Sequence, residues 1–139
     1  MLLNITIEGQ PATQGSKVPM PGRKFGVVDS CKRLPAWRDL VAYSARQKYK
    51  GPLVRDKALS MTLIFIKPRP KSHLNSKGEV KISAPKYPTT RPDSIKMTRA
   101  IEDALAGVIY GDDSQIVKHE IWKKYGDRFE TKIRVEEVR

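Results

Sequence analysis

Between Met97 and Val108 apolar residues return every three or four positions, as Met97, Ala100, Ile101, Ala104, Leu105 and Val108. That spacing predicts an α-helix with one buried side. Its opposite side carries Ile95, Arg99, Glu102 and Ala106, with Lys96 and Asp103 flanking. Pro92 fixes the entry, Asp93 or Ser94 serves as N-cap, and Gly107 closes the helix region. Such a helix is stable only against another apolar surface, and the rest of the chain offers mostly strands. Leu3, Ile5 and Ile7 alternate with polar residues until Gly9 and Pro11 stop them. Leu59–Ile66 is β-branched and aromatic and reads as a central strand.

Gln115–Tyr125 predicts a strand with Val117, His119 and Ile121 on one face and Lys118, Glu120 and Trp122 on the other. A turn at Gly126-Asp127 leads to Phe129, Thr131, Ile133 and Val135, which alternate with charged residues, so a C-terminal antiparallel hairpin is expected. His119 lies between apolar neighbours and reads as a hydrogen-bonded structural residue. Pro35 opens a second helix with Trp37, Leu40, Val41 and Ser44 at helical spacing and a basic face of Arg38, Arg46, Lys48 and Lys50. Trp37 belongs to its core side. Gly9–Arg23 reads as a loop, and Phe25–Val28 as a short strand. The 139 residues suit one domain, residues 1–139, of α+β class, with a mixed sheet flanked by two main helices.

Lys and Arg number 27 against 15 Asp and Glu, a formal net charge of +12, which points to a polyanionic partner. The longest apolar run, Leu63–Ile66, is far too short to span a membrane, and the N-terminus alternates where a signal peptide would be continuously apolar. A cytoplasmic protein without membrane association is expected. Cys31 is the single cysteine, which excludes an intrachain disulfide and a cysteine-based zinc site. Within Lys67–Pro92 fall five prolines and seven basic residues against one acid, Glu79. It predicts a long, mobile, cationic loop with no regular element, either lying against DNA or serving as a solubilising insert.

Three segments carry a specific pattern: Thr89-Thr90-Arg91-Pro92-Asp93, then Arg99-Ala-Ile-Glu-Asp103-Ala-Leu-Ala-Gly107, then Tyr110-Gly-Asp112-Asp113-Ser-Gln-Ile-Val117. Together they resemble the signature of the RusA-type Holliday junction resolvases, common in bacteria and their phages. Gly9-Gln-Pro11 and Gln14-Gly-Ser-Lys17 are similar to that family's opening motif and basic loop. The resemblance implies Mg²⁺- or Mn²⁺-dependent hydrolysis of phosphodiesters at four-way DNA junctions, with paired nicks made by a homodimer. By position, Asp93 matches the first metal-binding aspartate, Asp113 the third with Asp112 adjacent, and Arg99 the basic residue near the scissile phosphate. Lys17, Arg23, Lys24, Arg91 and Lys96 are the candidate DNA contacts.

The family's second aspartate falls on Ile95, which cannot ligate a hard cation. A weakened or inactive nuclease, a rearranged site with Glu102 as substitute, and an engineered change are all open readings. A non-catalytic binder of branched or double-stranded DNA is the alternative from another class. Against it, two carboxylates beside phosphates would repel DNA without benefit. A basic RNA-binding protein ranks last, for want of an aromatic-rich strand motif.

Overall fold

Strand β4 (Leu59–Pro68) runs through the middle of a four-stranded mixed sheet because its residues alternate between two environments. Leu59, Met61, Leu63 and Phe65 are buried beneath the helices, while Ser60, Thr62, Ile64 and Ile66 turn to the other, partly open face. The computed structural model describes residues 1–15, 17–19, 27–29 and 31–139. The sheet order is β1 (Leu3–Glu8), β6 (Glu130–Glu137), β4, β5 (Ile116–Gly126). β6 is antiparallel to both β1 and β4, and β5 is parallel to β4. Leu3, Ile5 and Ile7 pair in register with Val135, Ile133 and Thr131, so the inward residues of neighbouring strands stack into one apolar layer.

Helices α1 (Leu34–Lys48) and α2 (Ser94–Leu105) pack against each other, α1 also meeting β1 and α2 meeting β5. The apolar stripe of α2 is buried through Met97, Ala100, Ile101, Ala104 and Leu105, as its spacing requires. Thr98 joins them by returning its hydroxyl to Ser94 O at 2.8 Å, which removes an unsatisfied donor. In α1 the stripe is Leu34, Trp37, Val41 and Ala45; Trp37 is core, and Leu40 points outward at 41% exposure. This is the expected α+β class, in a single sheet-and-helix assembly. Among the described residues no helix is long and apolar enough to cross a membrane.

The two C-terminal strands follow each other, run antiparallel and are joined by the short turn that the sequence marks. β4 lies between them, and each bonds to β4. The Gly9–Arg23 stretch is not wholly loop: β2 (Lys17–Pro19) pairs antiparallel with β3 (Val27–Asp29), which is displaced from the expected Phe25–Val28. The basic Pro-rich segment also holds short regular structure, a 3-10 turn at Lys71–His73 and a bridge from Leu74 to Val80. Its anchor is aromatic: the Arg69 guanidinium lies 4.4 Å over the Tyr125 ring and donates to Pro85 O at 2.7 Å. Proline density hides such contacts from a sequence reading.

β5 is an edge strand that α2 covers only in part, so its alternation does not translate into burial as that of the other edge strand, β1, does. Val117 is 63% exposed although it heads the face that reads as apolar. Leu63→Ala should therefore lower unfolding stability by about 2–5 kcal/mol, whereas Val117→Ser should change it by less than about 0.5 kcal/mol. Urea unfolding followed by circular dichroism measures both, and equal losses would contradict this placement of the core.

Candidate functional site

The N-terminal end of α2 is held from below by two lysines on adjacent strands. Asp93 is the N-cap, its Oδ1 accepting from Ile95 N at 2.9 Å and Lys96 N at 3.4 Å. The residues leading to it are fixed by Lys123 on β5, whose Nζ donates to Thr90 O at 2.7 Å and Pro92 O at 2.9 Å. Lys67 on β4 adds longer contacts to Thr90 Oγ1 at 3.4 Å and Arg91 O at 3.5 Å. Beside Asp93 opens a cavity of about 490 Å³ onto which Arg33, Lys67, Arg91, Lys96 and Lys123 all face. Burial, with the charge of Lys67 second, pulls the Lys123 ammonium below the usual lysine range; Asp93 only partly offsets this. Positive charge is in excess there, which suits a phosphate ligand.

Two of the expected DNA contacts, Arg91 and Lys96, thus meet at one cavity. Lys17 falls in β2, of which only the backbone is described, and Arg23 and Lys24 lie outside the described residues. Arg33, Lys67 and Lys123 were not singled out by sequence reasoning. They come from three separate elements, and only the pairing of β4 with β5 brings Lys67 close to Lys123.

Along the exposed side of α2 stand Ile95, Arg99 and Glu102. Ile95 is 55% exposed, on the polar face where its helical position puts it. The Arg99 guanidinium lies along the backbone of Gly15: a Cβ there would stand 2.9 Å from Arg99 Nη1, and φ of +121° already favours glycine. The segment before Gly15 is pinned to α2 by Gln14, whose N donates to Lys96 O at 2.9 Å. The Gln14 side chain donates to Asp103 and accepts from Arg38 Nη1 at 3.1 Å, while Arg38 pairs with Asp103 at 3.9 Å. The aspartate of the Asp-Ala-Leu motif therefore anchors a loop. Glu102 bonds His119 Nε2 at 2.5 Å, so His119 is hydrogen-bonded as expected, and Glu102, the possible substitute ligand, is its partner.

Past the C-terminal end of α2, a turn presents Asp112 and Asp113. Asp112 caps the 3-10 turn Asp113–Gln115, its Oδ1 accepting from Ser114 N at 2.9 Å. Gln115 locks the turn: its Oε1 accepts from Gly111 N and Asp112 N at 3.0 and 3.1 Å, and its Nε2 donates to Val54 O and Lys57 O at 3.3 and 3.2 Å. That role explains why a glutamine follows the acidic pair. Below it the Tyr110 hydroxyl, buried and donating to Glu102 O at 2.7 Å, is pushed well above the ordinary tyrosine range by burial and by the charges of Glu102, Asp113 and Asp103. Asp113 is shifted up by its hydrogen bond with Asp112, then by burial and the charges of Asp112 and Asp103. The Ser114 N–H, and then the bond with Asp113, holds Asp112 down.

The structure groups Asp113 with Asp112 and Asp103 at one end of α2 and places Asp93 beside Lys123 at the other. From Asp93 to Asp103 the helix alone spans about 15 Å at 1.5 Å per residue. Among the described residues no three His, Cys, Asp or Glu side chains stand in metal-binding geometry. The donor chemistry of Asp112 and Asp113 fits a hard dication such as Mg²⁺ or Mn²⁺. Within one chain, Asp93 does not join them.

A raised folded-state pKa means that folding favours protonated Asp113. The resulting stability is present below the unfolded carboxylate pKa and is lost as pH rises through the raised value. Asp113→Asn removes that loss, so in chelator the variant should melt at a higher temperature than the parent at neutral pH. The gap should close in acid below the carboxylate range. A parent more heat-stable than the variant at neutral pH would contradict this.

Residues 10–136 match the family described as endodeoxyribonuclease RusA. The chain is also 32% identical over 143 residues to the uncharacterized protein YqaN of Bacillus subtilis (strain 168), covering 98% of this chain and 96% of that protein. The matched region runs from Gln10 to Glu136 and includes the pinned loop, α2 and the acidic turn. The chain belongs to the RusA endodeoxyribonuclease family.

Proposed function

We propose that this protein is an Mg²⁺- or Mn²⁺-dependent endonuclease that nicks four-way DNA junctions on symmetry-related strands, acting as a homodimer in the cytoplasm. Family membership supports the junction endonuclease itself. The finer reading rests on one observation, the separation of Asp93 from Asp112 and Asp113 by the length of α2. Asp103, the carboxylate nearest to Asp113 besides Asp112, is committed to Gln14 and Arg38. A single chain therefore offers a dication two adjacent carboxylates, and the set is completed where two chains meet, with Asp93 of one copy joining Asp112 and Asp113 of the other.

Mg²⁺ or Mn²⁺ held there would supply an acidified water and a counter-charge for the phosphate. The chain's own residues position the DNA. Arg99, exposed midway along α2 and held against the Gly15 backbone, places a permanent charge where negative charge builds on the scissile phosphate. Arg91, Lys96, Lys67 and Lys123 take the neighbouring phosphates at the cavity. Lys17, Arg23 and Lys24 remain the DNA contacts expected from sequence, and the segment after β4 lies along a junction arm.

The second reading, a binder of branched DNA with little or no chemistry, is favoured by one observation. Ile95 stands exposed where a carboxylate is expected, and Glu102 on the same face is bonded to His119. A synthetic four-way junction with Mg²⁺ or Mn²⁺ decides between the two. Ile95→Asp should raise nicking by more than about tenfold, and Asp113→Asn should abolish it while junction binding persists. Nicking by Asp113→Asn equal to the parent would remove that residue from the site, and an Ile95→Asp variant that binds but does not nick would favour the binder.

A further inference from the structure

The cavity beside Asp93 has features that a groove for duplex phosphates does not need. It opens where the parallel strands β4 and β5 end and α2 begins, the usual place for a ligand in a sheet with a helical crossover. Its lining combines these cations with the apolar residues Phe65, Pro88, Met97 and Phe129. At about 490 Å³ it falls in the size class of small-ligand sites. A phosphate alone would use only the cations.

Its cations are arranged to accept an anion. The Lys123 ammonium has three donors and, among the described residues, gives two to Thr90 O and Pro92 O. Lys67 holds its oxygens at 3.4 and 3.5 Å, loose contacts that a charged acceptor would replace. Burial and the neighbouring Lys67 already lower the Lys123 pKa, so an anion between the two ammonium groups would relieve their repulsion. Asp93 is the one acid lining the cavity, and its Oδ1 is occupied by the helix cap.

We infer that this cavity receives a single unpaired nucleotide of the bound DNA, its phosphate on Lys67 and Lys123 and its base against Phe129. A paired base cannot enter with its partner attached, so the site selects DNA in which a base at the crossover has left the stack. The inference rests on the DNA-junction reading above and adds to it the form of DNA that is recognised. It also gives the cavity a task beside the acidic chemistry: holding the strand next to α2 so that the following phosphate runs toward Arg99.

Binding is measured in EDTA, so that nicking plays no part and the nuclease reading stands or falls separately in the metal-containing assay. Three junctions are compared by fluorescence anisotropy: fully paired, with one unpaired thymidine at the crossover, and with an abasic residue in its place. The unpaired thymidine should tighten binding at least tenfold, and the abasic residue should lose that gain. Phe129→Ala should lose the gain while keeping the parent's affinity for the paired junction, and Lys67→Gln should lose the gain as well. Equal affinity for all three junctions overturns the proposal whatever the variants do, as does a gain that the abasic residue retains. Free thymidine 5′-phosphate should compete only weakly. If it binds the protein as tightly as the unpaired junction does, the cavity serves a free nucleotide and the DNA assignment fails.

Discussion

Helix α2 is the rigid rod on which the rest of this molecule depends. Its buried side, Met97 to Leu105, packs against α1 and β5, its N-terminal end borders the cationic cavity, and its C-terminal end leads to the acidic turn. Because an α-helix cannot shorten, its length fixes a distance of about 15 Å between the two charged ends. Everything functional follows from that spacing. Cations gather at the N-terminal end around one carboxylate, carboxylates gather beyond the C-terminal end, and Arg99 stands exposed between them.

Each end is stabilised by hydrogen bonds to uncharged partners that let like charges stay close. At the cationic end, backbone carbonyls of Thr90, Arg91 and Pro92 accept from two lysines on paired strands. At the acidic end, Gln115 and the Ser114 N–H hold a turn in which two carboxylates share a hydrogen bond, Asp112 shifted toward its charged form and Asp113 toward its protonated form. Such crowding destabilises an empty site and strengthens its attraction for a counter-ion, a trade common where function needs charge. Gln14, Arg38 and Asp103 do the same for the loop that flanks Arg99, at a place where a glycine is needed to leave room for the guanidinium.

Much of this was legible in the sequence, because periodicity reports burial wherever an element is covered on one side. β1, β4, β6 and α2 all read correctly on that basis. β5 read correctly as a strand, but the burial of its faces did not follow, since the helices cover only part of it, and Val117 shows the consequence. Nor could the Gly126-Asp127 turn reveal that β4 passes between the strands it joins, because a short connection usually means direct pairing. Asp93, Asp112 and Asp113 were found through the motif, and so was the foreign Ile95. The cavity was missed because its cations come from five positions spread over the chain, two of them on neighbouring strands whose partnership only the topology establishes. Gln115 stood in the motif as a letter; its bonds to Val54 and Lys57 gave it a reason.

The central claim is that α2 divides the acidic set, so that a working site takes residues from two chains. Subunit mixing tests it most directly. Asp93→Asn and Asp113→Asn proteins, each made in the Ile95→Asp background, are combined, allowed to exchange partners and given a four-way junction with Mn²⁺. If the set is shared between chains, every mixed dimer holds one intact site. Single-strand nicking should then return to about a quarter of the Ile95→Asp protein's level, since about half the dimers are mixed. A mixture as inactive as either protein alone would show that each site is built within one chain, and would contradict the account.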